Sequence, residues 1–150
     1  MALNGVELHH VGIRLGPADA EIENARRFYQ DVLGLSPDPG RPRMPSIAGY
    51  WMDIGAAGQI HLMGVSGMSR FAHGPDEDPS LPHVAFGVPD VQAAKAELTR
   101  LGVAYFVVRG AVGPEAEQLF LRDPAGTLIE LHQAGTCRCA RPAPSPAATA

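Results

Sequence analysis

Four residues of this chain are of types that do chemistry, and all four stand where a strand would ordinarily carry a core side chain. They are His10 in "LHHVGI", His61 in "YWMDIGAAGQIHLMGV", His83 in "LPHVAF" and Glu130 in "FLRDPAGTLIEL". Each stretch alternates as a strand does, so residues two apart share a face. His10, Gly12 and Arg14 lie opposite Val11 and Ile13, and His83, Ala85 and Gly87 lie opposite Val84 and Phe86. Gln59, His61 and Met63 oppose Ile60 and Leu62, while Leu128, Glu130 and His132 oppose Ile129 and Leu131. The Gly and Ala beside both opening histidines leave space that a core would fill and a pocket would not. Imidazole and carboxylate suit Fe(II), Zn, Ni, Co or Mn, and three or four of them leave coordination positions open for water or substrate. His9 falls on the Val11 face and reads as structural.

The elements that must position these residues repeat along the chain. "LHHVGI" matches "LPHVAF", and each is followed by a helical pattern. In the first, Ile22, Ala25, Phe28, Tyr29, Val32 and Leu33 gather on one side. In the second, Val91, Ala94, Leu98 and Leu101 do so. Asp19 or a near neighbour is expected to cap the first helix and Asp90 the second. Gly34 and Gly102 follow a Leu at each helix end, where a left-handed residue terminates the turn. Setting His61 on Glu130 aligns "WMDIGAAGQIHL" with "FLRDPAGTLIEL" without a gap, so Trp51 falls on Phe120 and Ile60 on Ile129. Both halves thus read strand–helix–strand–strand–strand. Where the second half has the strand "AYFVV", the first has the proline-rich "SPDPGRPRM", so its counterpart is short or replaced by a loop. One module covers about residues 6–64, a linker about 65–80, and a second module about 81–134.

With "HHVGI", "FYQDVLGL", "QIHLM", "PHVAFGVPD" and "LFLRDPAGTLIEL" in place, the chain resembles the vicinal oxygen chelate superfamily, the glyoxalase/bleomycin-resistance/extradiol-dioxygenase group. The resemblance covers about Leu8 to Gln133. It implies an α+β fold of two tandem βαβββ modules, whose curved, barrel-like mixed sheet encloses a divalent metal. It carries the family's ligand positions onto His10, His61, His83 and Glu130. It also implies a metal-dependent lyase or isomerase of the glyoxalase and epimerase kind, acting on a small substrate with vicinal oxygens through a metal-stabilised enediolate. Glu130 and His61 are then the catalytic candidates, Glu130 as a ligand able to serve as general base. His61 departs from the glutamate of the glyoxalase I pattern and the glutamine of the methylmalonyl-CoA epimerase pattern. The other activities the resemblance allows are an Fe(II) extradiol dioxygenase, a fosfomycin-type thiol transferase and a non-catalytic drug-binding protein. A fourth protein ligand at His61 would count against the dioxygenase. For substrate contacts the candidates are Arg14 on the His10 face, Arg41 and Arg43 in the proline-rich loop, and Trp51 and Met63 as apolar wall.

Composition bounds the rest. The chain of 150 residues, 45% hydrophobic and 19% charged, suits one globular domain with a sizeable core. A net charge of −4 offers no broad basic surface, which argues against a nucleic-acid partner. No apolar run approaches a membrane span, and the N-terminus lacks a signal-peptide layout, so a cytoplasmic protein is expected. The resemblance to the family implies in addition a homodimer acting on a small molecule. The segment 135–150, "GTCRCARPAPSPAATA", is too poor in bulky apolar residues to offset its ordering entropy and reads as a disordered tail. Its Cys137 and Cys139 are too local for a complete metal cage.

Overall fold

The computed structural model describes residues 3–55 and 58–135. The expectations for Cys137, Cys139 and the rest of the tail after Gly135 lie outside the described residues. Strand β1 is Glu7–Leu15, helix α1 Asp19–Arg27, β2 Ser36–Pro37, β3 Ala48–Ile54 and β4 Gly58–Gly64. The second half repeats the order with β5 His83–Val88, α2 Val91–Arg100, β6 Tyr105–Arg109, β7 Glu117–Arg122 and β8 Leu128–Gln133. All eight strands join one open, curved sheet in the order β2-β3-β4-β1-β5-β8-β7-β6. Within each half the outer connections are antiparallel hairpins, and the first and last strands pair in parallel, β1 with β4 and β5 with β8. Within the sheet, among the described residues, the halves are joined by the antiparallel pair β1–β5. The fold class is therefore α+β as expected, with the sheet open rather than closed into a barrel.

Both helices cover one face of the sheet, α1 over β3 and β4 and α2 over β7 and β8. Under α2, Val88, Val91, Ala94, Leu98, Leu119 and Leu131 form a continuous apolar core. The opposite, concave face carries the site. Asp90 caps α2 through its carboxylate, which accepts from the amides of Gln92 and Ala93 at 2.8 and 3.0 Å. Gly102 and Gly34 both adopt φ near +70°, as a helix-ending residue without Cβ can.

The first half departs from its sequence pattern in three places. Ala18, not Asp19, occupies the cap of α1 without a side-chain bond, and Glu21 instead accepts from the Gly16 amide at 2.9 Å. After Arg27 the chain continues as a π-turn over Phe28–Val32, whose longer repeat throws the 3.6-residue stripe out of phase. Ile22 is consequently the buried residue of α1, and Phe28, Val32 and Leu33 are exposed. Third, the register of β1 against β5 shifts between Leu8 and His10, which leaves His9 as an extra residue in the ladder. Such a bulge turns two successive side chains toward one face. His9 and His10 are 4% and 5% exposed, whereas Leu8 and Val11 on either side are 63% and 41% exposed. His9 therefore does not share the Val11 face.

Candidate metal centre

Three adjacent strands build the centre. His10 of β1 is paired in register with Ala85 of β5, and Ala85 with Glu130 of β8, so one rung crosses the seam between the halves. His83 opens β5 and reaches the same point from two residues away. The atoms that converge are His10 Nε2, His83 Nε2 and Glu130 Oε2. The two nitrogens are 3.0 Å apart, and the carboxylate oxygen is 3.3 Å from His10 and 3.1 Å from His83. Donors each about 2.0–2.2 Å from one ion, at near-tetrahedral or octahedral angles, stand roughly 3.0–3.5 Å from one another. The three edges have that length, and all three residues are buried. The donor set fits a divalent transition metal.

Gly12 makes the approach of His83 possible. A Cβ on Gly12 would fall 2.5 Å from His83 Cε1, well inside van der Waals contact. The outer atoms of the tripod are also held. His83 Nδ1 lies 2.7 Å from the Leu81 carbonyl, to which it donates, leaving Nε2 as a bare lone pair. The amide of Gln118, from β7, donates to Glu130 Oε1 at 2.7 Å and so leaves Oε2 for the centre. His10 Nδ1 faces His9 Nδ1 at 2.8 Å.

Charge is distributed accordingly. Burial acts to raise the Glu130 carboxyl, but the neighbouring His10 and His83, by charge and hydrogen bonding, outweigh it and hold the group well below the usual carboxylate range. Burial lowers His10 against the pull of Glu130, and burial, reinforced by His10, lowers His61 well below the usual imidazole range. His132 is lowered by burial as well. The centre thus favours an ionised Glu130, while burial disfavours protonation of His10, His61 and His132. A deprotonated carboxylate and neutral imidazole are the forms that bind a metal.

His61 reaches the cavity but does not join the tripod. Its ring is stacked between His10, at 3.6 Å between centroids, and Trp51, at 4.3 Å. Its Nε2 lies 2.9 Å from Gln59 Oε1. The Gln59 amide nitrogen donates to Asp38 and Asp53, both at 2.8 Å, which fixes the carbonyl toward His61 and makes His61 Nε2 the donor. The four positions read from the sequence are gathered in one place. Among the described residues two groups of potential ligands converge there, His10 with His83 and Glu130, and His10 with His9 and His132; the first contains a carboxylate.

Of the residues expected to contact substrate, Trp51 and Met63 line the cavity, together with Met44, Ile47, Pro79, Ala111, Val112 and Phe120. Arg14 and Arg43 do not. Arg14 lies on the concave face but is spent on the linker, donating to Ser80 Oγ and the Gly67 carbonyl and pairing with Asp78 at 3.8 Å. Arg41 donates to the Ile47 carbonyl at 2.7 Å, and Arg43 is exposed outside the lining. The free interior is about 40 Å³, room for an ion and a few waters. Sequence reasoning passed over Gln118 and set His9 aside. The signal for Gln118 was its place two residues before Phe120, on the same strand face; that for His9 was the doublet "HH", ambiguous until the bulge is known.

The sequence pattern of the Glyoxalase/Bleomycin resistance protein/Dioxygenase superfamily matches residues 7–131. Among curated relatives, Glyoxylase I 4 of Arabidopsis thaliana is 28% identical over 140 residues, covering 91% of this chain and 73% of that protein. Among solved structures, a hypothetical protein of Bacillus halodurans superposes with a TM-score of 0.66 at 25% identity, covering 87% of this chain and 95% of that one. Methylmalonyl-CoA epimerase from Mycobacterium tuberculosis does so with a TM-score of 0.61 at 26% identity, covering 85% and 87%.

Proposed function

The chain belongs to the Glyoxalase/Bleomycin resistance protein/Dioxygenase superfamily, and from that premise we propose that it is a divalent-metal-dependent enzyme of the glyoxalase and epimerase kind. In this reading it is a lyase or isomerase that moves a proton on a small substrate bearing two adjacent oxygens. The observation that carries the reading is the convergence of His10 Nε2, His83 Nε2 and Glu130 Oε2 at 3.0–3.3 Å on the concave face. A bound divalent ion supplies Lewis acidity toward neighbouring oxygens and tolerance of the negative charge that develops on them. The remaining work falls to the chain. His10, His83 and Glu130 hold the ion, and Gln118 keeps the carboxylate in one orientation. His61, neutral and with its Nε2 proton committed to Gln59, has Nδ1 as its basic nitrogen and is the proposed proton acceptor. Trp51, Phe120 and Met63 exclude water and admit only a small reacting group.

The test begins with metal analysis of tag-free protein, where about one ion per chain is expected, lost in Glu130→Gln. Solvent deuterium uptake into hemithioacetals of 2-oxo aldehydes and into 2-branched acyl thioesters then reads proton transfer. Metal-loaded protein that exchanges no carbon-bound hydrogen in either class would sink the assignment.

A second reading has its own support. Two histidines and one carboxylate form the facial triad of non-haem Fe(II) oxygenases, and His61 standing outside the tripod lifts the objection that a fourth ligand would block it. Oxygen uptake with catechols after anaerobic Fe(II) loading distinguishes the two.

A further inference from the structure

We propose that His9 is a positioning residue for the metal centre, accepting the Nδ1 proton of His10 and so fixing the tautomer and ring orientation that present His10 Nε2 to the ion. This rests on the reading of His10, His83 and Glu130 as the metal-holding set. When Nε2 binds a cation, the imidazole carries its proton on Nδ1, and a fixed acceptor for that proton orients the ring and raises its basicity. For His83 that acceptor is the backbone carbonyl of Leu81. For His10 the group at hydrogen-bond distance is His9 Nδ1, at 2.8 Å. The two halves therefore meet one requirement in two ways, and sequence explains the difference. Pro82 precedes His83, whereas a histidine precedes His10 at the matching place. The bulge at His9 brings that neighbouring ring to the concave side, where regular alternation would have sent it to the opposite face. His9 is held there by His132, whose ring meets it edge to face at 4.1 Å between centroids.

The test compares His9→Leu, which fills the space without an acceptor, with His9→Asn, whose side-chain oxygen sits where Nδ1 sits. Co(II) affinity is measured by chelator competition and by its visible spectrum, and melting of the metal-free proteins is followed alongside. A loss of roughly 10–100-fold in Leu, with affinity within about threefold of wild type in Asn, is expected. Equal losses in both variants would make His9 a packing residue only, and no loss in Leu would remove it from the centre. His83→Ala separates the two levels of failure. If wild type binds Co(II) and His83→Ala does not, an unaffected His9→Leu overturns the role of His9 alone. If neither binds, the underlying reading falls and this one with it. Long-range ¹H–¹⁵N spectra of the Zn-loaded wild type need no variant: they are expected to show His10 protonated on Nδ1 and His9 on Nε2, and the reverse for His9 overturns the proposal.

Discussion

Glu130 carries the negative charge of a centre otherwise lined by imidazoles, aromatic rings, aliphatic groups and the Gln118 amide, so its replacement bears on metal binding and on folding alike. Glu130→Gln keeps the volume and removes the charge. Metal affinity is expected to fall by more than the roughly 10–100-fold typical of losing an outer partner. The metal-free protein is expected to melt lower at neutral pH, because His10 and His83 favour the ionised carboxyl in the fold. Chelator competition and calorimetric melting read the two effects separately. The buried histidines set the pH dependence of the metal-free protein. His61 and His132 bind a proton less readily folded than unfolded, so the unfolded chain holds more protons below the ordinary imidazole value near 6.5. Stability is thus full above that pH and falls on acidification, by at most about 1.4 kcal/mol per pH unit for each histidine. The depressed Glu130 adds a further loss below about pH 4.5. Urea unfolding between pH 8 and 5 checks the sign; rising stability on acidification contradicts it. At this scale the sequence announced the donor types and their matched positions, because a repeat doubles every signal. It could not show that His61 donates to Gln59, since that depends on Asp38 and Asp53 meeting one amide from two different segments.

Elements decide where those donors aim. Gly12 faces the His83 ring with no side chain of its own, and Gly12→Ala would place a methyl 2.5 Å from His83 Cε1. We expect a cost of about 1–3 kcal/mol in stability and at least a tenfold loss of metal affinity, because the ring must swing off the tripod. The control is Asp90→Ala, which removes the cap of α2 on the far face. It should cost about 1 kcal/mol and leave metal affinity unchanged; a change in affinity there would mean the helix layer is coupled to the centre. The hairpins were legible to the residue. The gapless match of Trp51 with Phe120 and His61 with Glu130 reappears as two ladder rungs, Trp51–His61 and Phe120–Glu130. The first helix was legible only in part, because its apolar stripe runs into a π-turn that periodicity does not announce. The bulge in β1 was illegible for a like reason: one extra residue inverts the alternation from which faces are read.

At the scale of the whole molecule, one chain supplies every member of the tripod, His10 from the first half and His83 and Glu130 from the second. If a homodimer forms, as the sequence resemblance leads one to expect, the metal is still expected at one ion per chain and to survive dilution through the dimer–monomer transition. Ultrafiltration with metal analysis across that range tests this, and loss of the ion on dissociation would place a ligand on a second copy. The linker is part of the same assembly. Asp78 accepts from the amides and hydroxyls of Ser69 and Ser80, and Arg14 binds the cluster from β1. Nothing in the composition of "GVSGMSRFAHGPDEDPSLP" marks that network, because it exists only once the linker has folded back on itself and onto Arg14 of β1.

The strand order also dictates when the centre can come into being. β1 and β5, which bring in both histidines, find their parallel partners only after the rest of their own half has been laid down, His10 against Gln59 and His83 against Leu128. Pairings between distant stretches nucleate slowly, while the hairpins β3–β4 and β7–β8 close early. The ion would then arrive at a nearly finished structure, retarding its loss more than hastening its birth: a lock on the unfolding rate rather than a seed for collapse.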